Sequence, residues 1–466
     1  MTSEWLEWSR QEFGSADLGD SRRTARLVAM GAAACERPSG KVAAVFGVER
    51  EREGAYDFLE SEHVAAEEIM ASVAAATTAR CASCRFVFVP VDGTSISVAD
   101  RARTRDFGNV GSDSGGSRGL KVIDALAVEP EGTVGGWLAL TFWARTADRK
   151  VLKRATYARK ARPIEDKETR YWLQTVRGAA TALDERGTRG WFQIDREGDN
   201  REILLALNET AHWWTVRSNQ DRSIELDGGN TELLRSRMAE RTVAGTYALD
   251  VTARPGRKAH QAHMVVRVAD AVLRLREPVS KRITRLRVTV VWAREEGTSP
   301  GEDDAIDWLL FTNREVSTFD EAKQVIYGYT QRWRVEECHR TWKSGDCDVE
   351  KTQLASSDAV KRWAIILAAI ATRIERLKRL SRNHPDLPAT VELTLLEIRA
   401  LKMLHFGADG DTRIPSIAEV VAWLAELGGF THKHSGQPPG TTVLGRGLRY
   451  LRPAARMLAI QQGCER

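Results

Sequence analysis

No apolar run in this sequence reaches the ~18–20 residues that a membrane helix needs. The longest candidate, Trp363 to Thr372, is closed by Arg362 and Arg373. The first ten residues carry Glu4 and Glu7 and no apolar h-region, which argues against a secretory signal. The expected compartment is the cytoplasm, with no membrane partner. Cysteine is sparse, six residues in 466, too few for a disulfide framework in a chain of this length. Cys81 and Cys84 form a C-x-x-C, but no second pair stands at finger spacing and His63 is the nearest histidine. These thiols read as buried or half-buried rather than as a zinc site. There is no internal repeat and no low-complexity tract. Neither charge sign dominates: 69 Lys and Arg against 64 Asp and Glu leave +5, a mild hint of an anionic partner.

What is present is a soluble globular composition, 42% hydrophobic and 29% charged, which excludes global disorder and fibrous structure. At about 100–200 residues per domain the length predicts two to four domains. Residues 1–75 read as helical, with Asp20 or Ser21 capping a helix from Arg22 to Ala34. Arg22, Arg23 and Arg26 sit near its N-terminal end. From Arg85 the pattern becomes β-rich. A strand from Arg85 to Val91 ends at Asp92, and a Gly/Ser-rich loop spans Ser112 to Gly119. Strands are expected at Leu120–Val128 and Val134–Ala144, then a helix over Asp166–Glu185. Gly190–Ile194 ends at Asp195, and Trp213–Val216 ends at Arg217. Residues 219–305 alternate apolar residues with Arg and Thr, notably in Val265–Leu275 and Ile283–Trp292, and read as an inserted antiparallel β subdomain. A strand at Trp308–Phe311 and a single helix from Phe319 to about Lys343 follow. The remainder, from about 371, is mainly helical, broken at Gly428-Gly429 and by a loop at Gln437–Gly440.

Two carboxylates, Asp92 and Asp195, follow buried-looking strands, where α/β sheets usually bind ligands. Singly, an Asp after a strand is more often a turn or cap residue. The helix near 330 strengthens the case. At about 100° per residue, Arg332, Glu336, Arg340 and Lys343 fall within about 60° of the line through Tyr329, with Trp333 beside them. The bland reading is a solvated face with Arg332 and Glu336 as an i,i+4 pair; it leaves the aromatic residues unexplained. Three carboxylates from separate elements suit a two-metal site for phosphoryl transfer. The rival readings are a glycosidase and a non-catalytic DNA-binding regulator.

The stretch Tyr329-Thr-Gln-Arg332-Trp-Arg-Val-Glu336-Glu-Cys-His-Arg-Thr-Trp-Lys343 matches the Tyr-(2)-Arg-(3)-Glu-(6)-Lys signature of the IS-four family of bacterial transposases. Leu18-Gly-Asp-Ser-Arg-Arg-Thr-Ala-Arg-Leu-Val28 resembles that family's N-terminal DNA-binding helix, and Glu53–Phe58 the segment after it. Asp92-Gly-Thr-Ser and Asp195-Arg-Glu-Gly-Asp199 resemble its first two catalytic Asp motifs, with Val216-Arg-Ser218 as the following strand. Leu427–Phe430 and Leu444–Leu448 resemble its C-terminal end. The resemblance implies an α/β fold with an RNase H-like catalytic core at 76–370, carrying the β insertion at 219–305. A helical DNA-binding domain at 1–75 and a helical dimerisation domain at 371–466 would flank it. It implies a catalytic, metal-holding triad of Asp92, Asp195 and Glu336 with two Mg²⁺ ions, Mn²⁺ being able to substitute. DNA would be held by Arg22, Arg23 and Arg26 at the N-terminal helix and by Arg217, Tyr329, Arg332 and Lys343 at the cleaved end. Trp308 would stack on a flipped base, with Trp333 as a second aromatic probe. The implied partners are double-stranded DNA (inverted-repeat ends and target) and a second copy of the chain, working beside the bacterial nucleoid. An RNase H-like nuclease without strand transfer remains the alternative.

Overall fold

The computed structural model describes residues 3–100, 102, 104–111, 116–145, 162–226, 229–252, 258–297, 305–407, 412–431, 438–461 and 463. Ser112, Gln437 and Cys464 lie outside them. No described helix is long and apolar enough to cross a membrane. The strands are β1 Phe86–Val98, β2 Gly108–Asn109, β3 Arg118–Val128, β4 Val134–Trp143, β5 Arg189–Ile194 and β6 Trp213–Arg217. They continue with β7 Ser223–Glu225, β8 Thr231–Leu233, β9 Val243–Val251, β10 His260–Arg276, β11 Ile283–Glu295 and β12 Asp307–Thr312.

All twelve join one sheet in the order β2-β3-β1-β5-β6-β12-β11-β10-β7-β8, with β4 on β3 and β9 on β10. β4, β3 and β1 run antiparallel, and β1, β5 and β6 run parallel. Residues 219–305 were expected to form a subdomain of their own. They extend the central sheet instead, because β12 pairs with β6 on one side and β11 on the other. The alternation in β10 and β11 produces this: their apolar residues continue the two core layers on either side of the sheet.

Helices cover both faces. α1 Ser3–Phe13, α2 Ser21–Glu36, α3 Val42–Val45, α4 Glu49–Glu60 and α5 Ala66–Arg80 form the N-terminal layer. Asp20 caps α2, its side chain accepting from the Arg22 N–H. Phe13, Leu18 and Leu27 share one core with Phe88, Trp137 and Trp363, so this layer is packed into the molecule. Cys81, at the end of α5, is buried in the opposite core layer, and burial raises its thiol pKa to about 12. α6 Thr169–Asp184 and α7 Arg201–Glu209 pack on that face, and α8 Leu234–Ala239 contributes Leu234 and Met238 to the same layer.

The single helix expected from Phe319 to Lys343 is two: α9 Phe319–Thr330 and α10 Trp333–Lys343. Between them the bonding shortens to i→i−3, with Arg332 N to Tyr329 O at 3.1 Å and Arg334 N to Gln331 O at 3.0 Å. The Thr330 hydroxyl donates to the Tyr327 carbonyl at 2.6 Å and competes with the regular ladder. Each such step turns about 120° rather than 100°, so Tyr329 is rotated by roughly 60° relative to Arg332 and the residues that follow it.

α11 Ser357–Asn383 is one continuous helix through residue 371, where a domain boundary was expected. The apolar sequence that suggested a membrane span is buried inside it. Arg362 is buried too, donating to the carbonyls of Leu59 and Val64. α12 Leu395–Phe406, α13 Ile417–Leu427 and α14 Thr441–Gln461 complete the C-terminal part. Ile374, Leu377, Leu380, Val420, Trp423 and Leu424 form a third core there, together with Trp5 of α1 and Cys35 of α2.

Candidate active site

Asp92 was expected at a strand end. It lies in the middle of β1, which continues to Val98 because Thr94 to Val98 keep pairing with β3. The parallel register of β1 and β5 pairs Val91 with Ile194, so the next step in each chain is Asp92 and Asp195. Asp195 caps a short 3-10 turn, its side chain accepting from the Glu197 N–H at 2.8 Å. Its order is therefore built into the turn that ends the strand.

α10 brings the third carboxylate. Arg332 donates to Asp92 Oδ2 at 3.1 Å and to Glu336 Oε1 at 2.7 Å. The i,i+4 pair is present, and the same guanidinium spans to β1, joining two residues 240 positions apart. Lys343 reaches Thr94 Oγ1 at 3.2 Å, two residues after Asp92. An open cleft of about 400 Å³ is lined by Glu336, His339, Arg340, Lys343, Ser344 and Glu350.

Three groups in this neighbourhood were not singled out from the sequence. Asp124 on β3 stands directly opposite Asp92 in the antiparallel register. Like charges so placed repel. His339, one turn after Glu336, takes up Asp124 Oδ2 at 2.7 Å, and its ring stacks on Trp137. Burial pulls the His339 pKa down, but the charge and hydrogen bond of Asp124 outweigh it and the net shift is upward. Asp92 has its pKa raised to about 6, first by burial and then by the charge of Asp124. Glu197 is the third: its carboxylate lies 3.6 Å from where a Cβ on Gly93 would stand, and burial with the charge of Asp195 raises its pKa. A lone acid in the apolar run Leu120–Val128 was the signal that could have found Asp124.

Glu337 is a different kind of carboxylate. It faces α11, where Arg379 contacts it at 2.7 Å and Lys378 at 3.3 Å. Burial alone would raise its pKa; those two cations hold it at about 2. Adjacent residues on one helix thus divide between the cleft and the frame.

The aromatic residues form a connected group, with Trp308 packed edge-on against Tyr329 at 5.6 Å and Trp333 at 6.4 Å between ring centres. Trp308 is only 7% exposed and Tyr329 5%, whereas Trp333 is 53% exposed. Trp308, expected to stack on a flipped base, is carried by β12 into the core. Arg217 donates to the Asp307 carbonyl at 2.8 Å beside this group. Arg22, Arg23 and Arg26 lie apart, on α2. Arg22 pairs with Asp20, Arg23 with the Leu18 carbonyl, and the Arg26 guanidinium lies against Gly54 of α4.

The donor set suits a hard divalent cation, since all three candidates offer carboxylate oxygens. Half-buried Asp92 and fully buried Asp124 also stand side by side, and Asp124 Oδ1 has no hydrogen-bond partner. Among the described residues no three His, Cys, Asp or Glu side chains already converge on one point. The guanidinium of Arg332 stands between Asp92 and Glu336, so ion binding there requires it to turn aside.

Residues 6–64 match the family described as transposase DNA-binding, and residues 209–373 match the family described as transposase DDE domain. The first covers α2 with its arginine cluster. The second covers β6 to the middle of α11, including Arg332, Glu336 and Lys343, and leaves Asp92 and Asp195 outside. A DDE domain implies an RNase H-like core and a nucleic-acid-cleaving or -transferring enzyme, and the run β4-β3-β1-β5-β6 has the antiparallel-then-parallel arrangement of such a core. These matches support a transposase that binds DNA.

Proposed function

We propose that this chain is a cut-and-paste DNA transposase of the IS-four type, with Asp92, Asp195 and Glu336 as its catalytic carboxylates. The observation that carries the reading is the shared guanidinium of Arg332. It draws Glu336 of α10 to Asp92 of β1, next to which the register sets Asp195. Bound by these three residues, a pair of Mg²⁺ ions, for which Mn²⁺ can substitute, would polarise the scissile phosphate and lower the pKa of a water. Arg332 and Lys343 would hold the DNA phosphates beside the carboxylates, Arg332 exchanging Asp92 for a phosphate oxygen. Water would attack the phosphodiester at the element end, breaking the bond to the 3′-oxygen and freeing a 3′-hydroxyl. That hydroxyl would attack the opposite strand, expel its 3′-oxygen on the flanking DNA, and close a hairpin. A second water would cut the hairpin phosphodiester at the element's 3′-oxygen, and the restored 3′-hydroxyl would attack a target phosphodiester and expel a target 3′-oxygen.

Arg22, Arg23 and Arg26 would grip the inverted repeat, supported by the exposure of this end of α2. The working assembly would be a homodimer. Its support is the exposed apolar side chains of the C-terminal helices, Phe406, Tyr450 and Met457, each more than half exposed. Of the aromatic group, Trp333 would meet an unstacked base; its exposure supports this.

The test is incubation with DNA carrying the inverted repeats that flank the gene. The expected products are nicked, then hairpin-ended, element DNA. Nicking without hairpins or joined products would mean a nuclease, and binding without nicking a regulator. In the same assay Trp333→Ala should nick normally and slow the hairpin step. The stacking lost is worth about 1–3 kcal/mol. Trp308→Ala should instead lower stability by about 3–5 kcal/mol, as expected for a buried aromatic side chain. A Trp308→Ala protein that melts like the parent and fails only in hairpin formation would restore Trp308 as the base-stacking residue.

A further inference from the structure

β10 and β11 pair without interruption from Met264 opposite Glu295 to Arg276 opposite Ile283. Cross-strand partners share a face, so the sides of this hairpin can be read from the register. On one side Leu273, Leu275, Leu286 and Val288 are buried in the core layer that also holds Val91 and Ile194. On the other, Val272 stands opposite Arg287, Arg274 opposite Arg285, and Arg276 opposite Ile283. Four arginines thus occupy six neighbouring positions. Further along the same side, Met264 and Val266 of β10 pack in the layer that contains Trp308. The arginine face is therefore on the same side of the sheet as Trp308.

The arrangement costs stability. Arg274 and Arg285 are directly opposed, and like charges in that relation repel. Among the described residues, Glu225 is the one carboxylate within ion-pair distance of the four, on Arg285 at 2.7 Å. Asp270, further along the face, accepts from Thr289, and Glu277 in the turn is held by the N–H groups of Val279 and Ser280. Arg282 adds another cation at the turn. Among the described residues Arg274, Arg276 and Arg287 are left without a carboxylate, on a rigid strand pair whose alternate residues advance about 6.6–6.8 Å.

We propose that this face binds the phosphodiester backbone of duplex DNA, as a contact surface additional to the cleft at Glu336. The inference rests on the reading of the chain as a DNA transposase. Duplex DNA presents one negative charge per about 1.7 Å of axis, so a row of unpaired guanidinium groups on a stiff hairpin meets several phosphates at once. An anionic lipid surface is the rival partner. Surfaces that bind lipid set large apolar or aromatic anchors beside their cations, and this face carries Val272 and Ile283 alone.

The experiment uses the full chain, the triple variant Arg274→Gln/Arg276→Gln/Arg287→Gln, and the matching triple Lys variant. Affinity for a fluorescent duplex carrying the inverted-repeat end and flanking DNA is measured by anisotropy between 50 and 200 mM salt. Three lost contacts should flatten the slope of log affinity against log salt by about 2–3. Affinity at the low-salt end should fall at least tenfold, while the Lys variant keeps the parent's slope. Relief of the Arg274–Arg285 repulsion should leave the Gln variant melting no lower than the parent. Equal slopes in a parent that binds and cuts DNA would overturn this inference and leave the proposed function standing. A parent that binds no DNA at any salt would overturn both. A lowered melting temperature would make the arginines supports of the fold, and an undiminished DNA slope with lost binding to phosphatidylserine vesicles would assign the face to lipid; either overturns the proposal.

Discussion

Glu336→Gln should reduce strand cleavage about a thousandfold or more, while DNA binding and melting temperature stay near those of the parent. Glu336 is half exposed, and its side-chain partner is Arg332, so amide replacement removes little from the frame. What it removes is a charged oxygen donor where charge develops on the phosphate. Interactions of that kind are worth several kcal/mol, and each 1.36 kcal/mol is a factor of ten in rate. Glu337→Gln, one residue on, should do the reverse. Its carboxylate lies between Arg379, Lys378 and Arg334, and loss of its charge leaves buried cations short of a partner, at about 1–3 kcal/mol. The Glu337 pKa is depressed, so its share of stability is present above the ordinary carboxylate range and is lost as pH falls toward about 2. The Gln variant should lack that part of the acid dependence and still cut. The measurement is single-turnover cleavage with thermal melts at several pH values. A dead Glu337→Gln beside an active Glu336→Gln would reverse the assignment.

How these two acids divide could be read in the sequence only in part. Periodicity placed Arg332, Glu336, Arg340 and Lys343 on one face, which holds because Arg332 caps α10 in helical conformation and the other three lie within it. It could not show that Tyr329 is buried against Trp308, across a junction where the Thr330 hydroxyl and the i→i−3 bonds around Gln331 change the turn angle. No property of a single segment announces such local competition for a carbonyl. Asp195 was legible as a strand-ending residue since the Asp-x-Glu-Gly turn caps itself. Asp92 was recognised by its motif while its position was misjudged: Pro90 and Gly93 look like punctuation, yet β1 runs through both. β3 and β5 pair with it on either side and carry the strand past them. The Asp124–His339 pair was invisible, because its meaning depends on a register between strands and on a helix more than two hundred residues away.

Domain boundaries were the least legible feature, for a related reason. Composition shifts near 75 and 371, but burial does not follow composition. α11 passes through 371 with Ala364 to Ala371 all buried, and Trp5 from the first helix packs in the C-terminal core. A chain folded back on itself shares one interior among segments that look separate in sequence. Deleting residues 1–55 would therefore strip Phe13, Leu27 and Phe46 from the main core, so the N-terminal layer cannot be tested as a detachable arm.

A buried ion pair stands where these layers meet. Arg373, on α11, pairs with buried Glu397 of α12 at 2.7 Å, reaches Cys35 of α2 at 3.0 Å, and donates to the Glu392 carbonyl. Glu397 in turn accepts from the Trp5 indole at 3.3 Å and from the Thr394 N–H at 2.9 Å, closing the capping box that starts α12. Burial alone would lower the Arg373 pKa; the charge of Glu397 more than reverses it, and Glu397 is held ionised in exchange. Arg373→Met keeps the apolar stem and leaves an unpaired carboxylate in the interior, so it should cost roughly 3–5 kcal/mol. Most of that cost is the stranded charge rather than the lost attraction. The double variant Arg373→Met/Glu397→Gln should therefore be more stable than Arg373→Met alone, with a coupling energy of about 1–3 kcal/mol in a double-mutant cycle. Denaturant melts of the four proteins measure it. Additive losses would show that Glu397 is supported by Trp5 and Thr394 and gains nothing from Arg373. A positive coupling would make this one buried pair the joint between the layer carrying Arg22, Arg23 and Arg26 and the helix behind Glu337.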